Sequence, residues 1–157
     1  MRIVLFITFL LTVAQAFAAD KGRMSDSEYR TFLVQVETKL PIWEAALNKV
    51  DPTNSNASYA TGEKIVQYRD LTLKEVGWVR EYVGKQRQKR TVSGELALDG
   101  FLRGVFDGME SIVSMEIAAG LTLSNLENYA PEISKLNIQI ANDVTARVEL
   151  LEKGICP

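Results

Sequence analysis

The chain reads as an all-α protein, a compact bundle of about five helices around a central glycine-containing helix at 94–119. Three observations predict this. Apolar residues recur at three- and four-residue steps through every long segment, the spacing of a helix face rather than the alternation of a strand. Ser or Thr followed three residues later by Glu, the pattern of a helix start, occurs at Ser25/Glu28, Thr72/Glu75 and Ser124/Glu127. The stretch Gly94 to Ala119 is apolar around most of its circumference and is interrupted by Gly100, Gly104 and Gly108, four residues apart. At 3.6 residues per turn these glycines fall near one face and form a groove for helix packing or self-association, inside the bundle or across a homodimer.

Taken in order, residues 1–19 have the form of a signal peptide. Arg2 supplies the positive start, Ile3 to Val13 the apolar run, and Ala14-Gln15-Ala16 and Ala16-Phe17-Ala18 the small-residue pattern before cleavage near Ala18 or Ala19. The mature chain, 20–157, is then a single helical domain in a periplasmic or secreted setting. Its first helix starts at Ser25, carries Tyr29, Phe32, Leu33, Val36 and Leu40 on one face, and kinks or restarts at Pro41, which has no N–H for the preceding turn. Asp51 to Gly62 is a polar loop. Ile65, Val66, Leu73, Val76, Val79, Tyr82 and Val83 predict a helix near 72–88, preceded by a shorter one and ending in the basic run Lys85, Arg87, Lys89 and Arg90. The glycine helix follows. Asp99, Arg103, Asp107, Glu110 and Glu116 within it argue against a membrane span, since a charge near a bilayer centre costs about 2.5–3.5 kcal/mol. Leu121 to Ala130 predicts a short helix, and Ile133, Leu136, Ile140, Val144, Val148 and Leu151 predict a last one that stops at Gly154.

Composition excludes several functions. With 46% hydrophobic residues and a net charge of −2, the chain lacks the basic surplus of a nucleic-acid binder. Histidine is absent and cysteine occurs once, so there is no Ser-His-Asp or Cys-His arrangement, no thiolate cluster and no expected metal or other cofactor. Catalysis would rest on carboxylates, with Asp99/Asp107 or Asp107/Glu110 as the pairs of a carboxylate-dependent hydrolase. Asp99, Arg103 and Asp107 also form an i, i+4, i+8 ladder of the kind helix faces use for ion pairs.

The segment Gly100-Phe101-Leu102-Arg103-Gly104-Val105-Phe106-Asp107, followed by Leu121-Thr122-Leu123, Ala130-Pro131-Glu132 and a last helix ending in Ile155-Cys156-Pro157, resembles the periplasmic amidase-immunity proteins of type VI secretion systems. The resemblance covers roughly residues 98 to 157. It departs from the family at Leu96-Ala97-Leu98-Asp99, where members commonly carry a second Cys paired with the terminal one. It implies an exported helical binding protein, with another exported protein, a peptidoglycan amidase effector, as partner. A structural subunit of an envelope or secretion assembly is the competing reading. Trp43, beside Pro41, and Tyr59, in the polar loop, are the candidate partner-binding residues, because interfaces concentrate binding energy in aromatics. Trp78 is expected in the core. Cys156, unpaired within the chain, is the candidate for an intermolecular disulfide.

Overall fold

Helix starts and stops follow from local chemistry. In the computed structural model, which describes residues 22–52 and 58–155, helix α1 (Asp26–Asn48) begins with a complete capping box. The Glu28 amide donates to Ser25 Oγ at 3.3 Å, and the Ser25 amide donates to Glu28 Oε2 at 2.7 Å. Helix α2 (Tyr59–Gln88) is capped by Ser58 through the Thr61 amide, and α3 (Val92–Ala118) by Thr91 through the Gly94 amide. A 3-10 turn at Asn125–Asn128 leads into α4 (Ala130–Glu152), which carries Pro131 in its first turn, where no N–H is needed. Helices α3 and α4 end alike. Gly120 (φ 64°) and Gly154 (φ 69°) take the left-handed conformation, and the next amides, Leu121 and Ile155, reach back to the Glu116 and Leu150 carbonyls.

Contacts between helices run antiparallel. Glu37 and Glu44 of α1 meet Arg87 and Arg80 of α2, Thr72 and Gln86 of α2 lie against Gly108 and Gly94 of α3, and Asp99 of α3 bonds Asn137 of α4. Lys39 of α1 pairs with Glu132 of α4 at 2.6 Å. The result is an up-down-up-down four-helix bundle, and no strand occurs among the described residues. Leu98, Leu102, Val105, Met109 and Ile112 of α3 are fully buried in one connected core, with α2 and α4 packed on the helix from either side. No helix among the described residues is long and apolar enough to cross a membrane.

Several expectations are corrected. Among the described residues, four helices and one 3-10 turn replace about five helices, because α2 is continuous from Tyr59 and Leu121 to Ala130 supplies only that single turn. The box-like Thr72/Glu75 pair lies inside α2, with Thr72 Oγ1 donating to the Tyr68 carbonyl at 2.7 Å. Helix α1 runs through Pro41 without a restart. The proline sits on the exposed side, where the carbonyl it leaves unbonded can face water. The expected signal segment and Cys156 lie outside the described residues.

The glycine face divides in two. A Cβ on Gly108 would stand 2.0 Å from Thr72 Oγ1 and one on Gly104 2.8 Å from Glu75 Cδ, whereas nothing lies within 4 Å of the same position on Gly100. Four residues advance a helix by about 40° beyond a full turn, so over eight residues the row rotates away from α2. Gly104 and Gly108 are contacts between α2 and α3, and exposed Gly100 takes no part in that packing.

The two ends of the bundle are closed differently. At the end where α3 passes into α4, Leu126 is fully buried and plugs the space among α1, α3 and α4, while buried Glu116 accepts hydrogen bonds from the Ser124 amide (3.1 Å) and hydroxyl (2.8 Å). The opposite end is closed by charge. Arg90, in the link between α2 and α3, contacts Glu95 Oε1 (2.8 Å), Asp143 Oδ2 (2.7 Å), Asp26 Oδ1 (3.0 Å) and the Met24 carbonyl (2.9 Å).

Candidate functional site on the outer face of the second helix

The first four turns of α2 reach past the end of α1 and leave one side uncovered. Along it Tyr59, Val66, Leu71 and Lys74, with Pro52 from the preceding segment, line an open cleft of about 960 Å³. The same outward stripe continues down the helix to Trp78, Tyr82 and Lys85. Trp78 and Tyr82 each place their rings 5.2 Å from the ring of Phe101 on α3, and Lys85 Nζ stands 4.5 Å over the Tyr82 ring while pairing with Glu81 at 2.6 Å. Phe101 and Tyr82 pack partly into the core, which fixes them, and Trp78 and Leu71 stay 43% and 50% exposed. Ser58, Glu63, Gln67 and Asp70 also line the cleft, so preorganised aromatics stand beside a concave surface of mixed character, the kind of ground on which aromatic anchors concentrate binding energy.

The residues singled out in the sequence distribute unevenly over this surface. Tyr59, at 83% exposure, lines the cleft from the first residue of α2 and not from a polar loop. Trp43 is corrected: it is fully buried between α1 and its neighbours, with Nε1 lacking a hydrogen-bond partner, so it cannot anchor a partner on the folded chain. Its spacing from Val36, Leu40 and Leu47 continues the buried stripe of α1, and this outweighs its position beside Pro41. Trp78 is corrected in the opposite sense, since Val76, Val79 and Val83 take the buried side of α2 and position 78 lies across from them. The basic run is largely engaged within the chain: Lys85 pairs with Glu81, Arg87 with Glu37, and Arg90 enters the ion cluster.

The carboxylates do not converge as a hydrolytic pair at Asp99 and Asp107. Asp99 accepts from Asn137 Nδ2 at 2.9 Å and lies 3.8 Å from Arg103, while Asp107 stands eight residues, or about 12 Å of helix rise, away. Asp107 and Glu110 do share a shallow groove of about 480 Å³ with Tyr68, Ser111 and Ser114. Among the described residues no group of three or more Cys, Asp or Glu side chains is placed to hold a metal ion.

The ion cluster was not anticipated from the sequence. Glu95 and Asp143 are fully buried, Arg147 is nearly so and contacts Glu95 Oε1, and the Met24 amide donates to Asp143 Oδ1. The Arg90 guanidinium lies 4.1 Å above the Tyr29 ring, and the Tyr29 hydroxyl donates to Gln86 Oε1 at 3.3 Å. Burial pushes the Glu95 carboxyl up to about 7, helped by the adjacent Asp143 carboxylate and opposed by Arg90. Burial likewise raises the Tyr29 hydroxyl. Two buried atoms of the cluster, Glu95 Oε2 and Arg147 Nε, have no hydrogen-bond partner among the described residues. A sequence signal existed: Asp143 and Arg147 fall among Leu136, Ile140 and Val144 on the apolar face of the last helix, and Glu95 one turn before Leu98.

Comparison of the chain with protein-family models, with curated proteins and with solved structures gives no match.

Proposed function

We propose that the chain is an exported binding protein that acts by occupying another exported protein rather than by turning over a substrate. The observation that carries this reading is the outer side of α2, where exposed Tyr59 and Leu71 line an open cleft of mixed polar and apolar character and exposed Trp78 lies two turns beyond Leu71. The signal-like start and the likeness of residues 98–157 to amidase-immunity proteins point to a cell-wall-degrading effector as the partner, and to inhibition as the outcome. Aromatic anchors at such interfaces each contribute about 2 kcal/mol or more, equivalent to roughly 30-fold in affinity.

The test is capture of an envelope partner by the purified chain, with parent and with Trp78→Ala plus Tyr59→Ala. Both positions are exposed, so the double variant should fold with an unchanged circular dichroism spectrum. A stoichiometric exported partner held by the parent and lost by the variant is the expected result. Equal capture by both would move the interface elsewhere. Turnover of peptidoglycan, esters or phosphoesters that disappears in Asp107→Asn would replace the binding reading with a hydrolase built on Asp107 and Glu110.

A further inference from the structure

The outward side of α2 carries an ordered line of charge that the fold of the chain leaves facing away from it. Asp70, Lys74, Glu81 and Lys85 are all exposed, and their steps of four, seven and four residues place them within about 60° of one another around the helix. Leu71 and Trp78, 50% and 43% exposed, stand beside this line on the side toward α3. The neighbouring helices do not cover it. Arg80 and Arg87 lean to Glu44 and Glu37 of α1, Thr72 and Glu75 reach Gly108 and Gly104 of α3, and Val76, Val79 and Val83 take the core. Within the chain the line is loosely paired: Glu81 with Lys85 on the same helix, and Asp70 with its neighbour Arg69, each of the three line members more than half exposed. Lys74 makes no ion pair among the described residues.

Read along the helix, the signs of the line run minus, plus, minus, plus. Read backwards, they are reversed at every position. An antiparallel copy of the same helix therefore presents an opposite charge to each member of the line, whereas an in-register parallel copy presents a like charge to each. We propose that a second copy of this chain covers the outward side of α2, the two helices packing antiparallel about a two-fold axis that passes between Gly77 and Trp78. Asp70 then meets Lys85 of the second copy and Lys74 meets its Glu81, and the axis repeats both pairs. The same register brings the two Trp78 rings together at the axis and sets Leu71 against the turn of the second copy that holds Gly84, so the exposed apolar surface is covered along with the charges. Gly77 and Gly84 border the line on its α1 side with open space where a Cβ would stand, which lets the second backbone come close. This is the face assigned above to an exported partner; resting on that reading, the pair is the form that keeps the anchors covered until such a partner displaces the second copy.

Sedimentation velocity of the reduced chain across the micromolar range measures the pairing with no exported partner present, so its failure and the failure of the binding reading are told apart. The parent is expected to dimerise as concentration rises. Lys74→Glu or Glu81→Lys alone sets like charges together twice across the axis and should weaken the dimer on the order of 10-fold. The double reversal restores both pairs and should bring the affinity back toward that of the parent. Both positions are exposed, so the variants should fold. A parent that stays monomeric across the range overturns the proposal, as do single reversals that leave the dimer intact or a double reversal weaker than either single. Direction is read in a Cys156→Ser background. A short bismaleimide should join two copies of Gly77→Cys, which lie about 1.5 Å apart along the helix direction, and should not join Gly84→Cys, whose copies lie about 20 Å apart. Joining of both alike would mean parallel copies and would overturn the proposed pairing.

Discussion

Replacing Gly108 by alanine tests the contact between α2 and α3 most directly. In an unobstructed helix interior, Gly→Ala stabilises by about 0.5–1 kcal/mol, because alanine has less backbone freedom to lose. At Gly108 the new methyl would stand 2.0 Å from Thr72 Oγ1, 3.0 Å from Thr72 Cβ and 3.1 Å from Thr72 Cγ2. Thr72 cannot simply turn aside. It is 2% exposed, its hydroxyl is tied to the Tyr68 carbonyl, and a β-branched side chain on a helix has few rotamers. Separation of the two helices or an off-rotamer Thr72 then costs about 1–3 kcal/mol, the usual range for overpacking, and this outweighs the helix-propensity gain. The expected net effect is a loss of about 1–2 kcal/mol. Gly100→Ala, with open space around its new methyl, is the internal control and should gain about 0.5–1 kcal/mol. Urea unfolding of parent, the two single variants and Gly108→Ala with Thr72→Ala measures both effects. The double variant should recover part of the loss, because residues in contact couple. Gly108→Ala with the same midpoint as Gly100→Ala would show that the two helices do not meet here.

Other consequences can be measured alongside. Gly104→Ala should fall between the two, near neutral, since the atoms its methyl would meet are the far end of the Glu75 side chain, which can swing away. Arg90→Ala leaves Glu95 and Asp143 without their shared cation and should lower unfolding free energy by about 3–5 kcal/mol, a loss that urea denaturation reads directly. The Glu95 carboxyl is raised in the folded state from 4.5 to about 7, so the native chain binds its proton more tightly. Stability is fully present below about pH 4.5 and falls by about 3 kcal/mol as pH rises through 7, a slope absent from Glu95→Gln in thermal melts. Asp26 and Glu28 are shifted the other way, by Arg90 and Ser25, so any contribution they make is lost only on acidification and occupies a separate window. If the chain is exported as proposed, Cys156, its one thiol, should give a partly disulfide-linked dimer, and oxidised protein with no dimer band and a full thiol titre would exclude it.

What could be read in the sequence was local. The capping box at Ser25, the buried stripes of α1, α3 and most of α4, and the stops at Gly120 and Gly154 depend on residues within one or two turns of each other and lie where their spacing placed them, except that Leu150 is buried at the end of α4 in place of exposed Leu151. The start of α2 was missed because its first turns stand clear of α1: without a neighbour to bury them, Tyr59 to Glu63 carry no periodic apolar pattern, and Ser58 passes for another polar loop residue. The two tryptophans were exchanged for a related reason. Proximity to Pro41 suggested a surface for Trp43, although its helical phase with Leu40 and Leu47 already placed it inside. The candidate site was legible only in part. Tyr59 could be named, but the Trp78–Phe101–Tyr82 group requires knowing that residues 78 and 101 face each other across two helices. The ion cluster joins Met24 to Asp143 over 119 residues, and no local pattern announces such a partnership.

The unlike closures of the bundle give the molecule two thermal personalities. The Leu126 plug is held by water's exclusion from apolar surface, a force that fades on cooling. The Arg90 end is held by desolvated charge, whose hydration penalty shrinks on heating, so that closure keeps its strength when warm. Cooling therefore costs the connection between α3 and α4 more than it costs the charged end, and warming lightens the desolvation burden that the charged end carries.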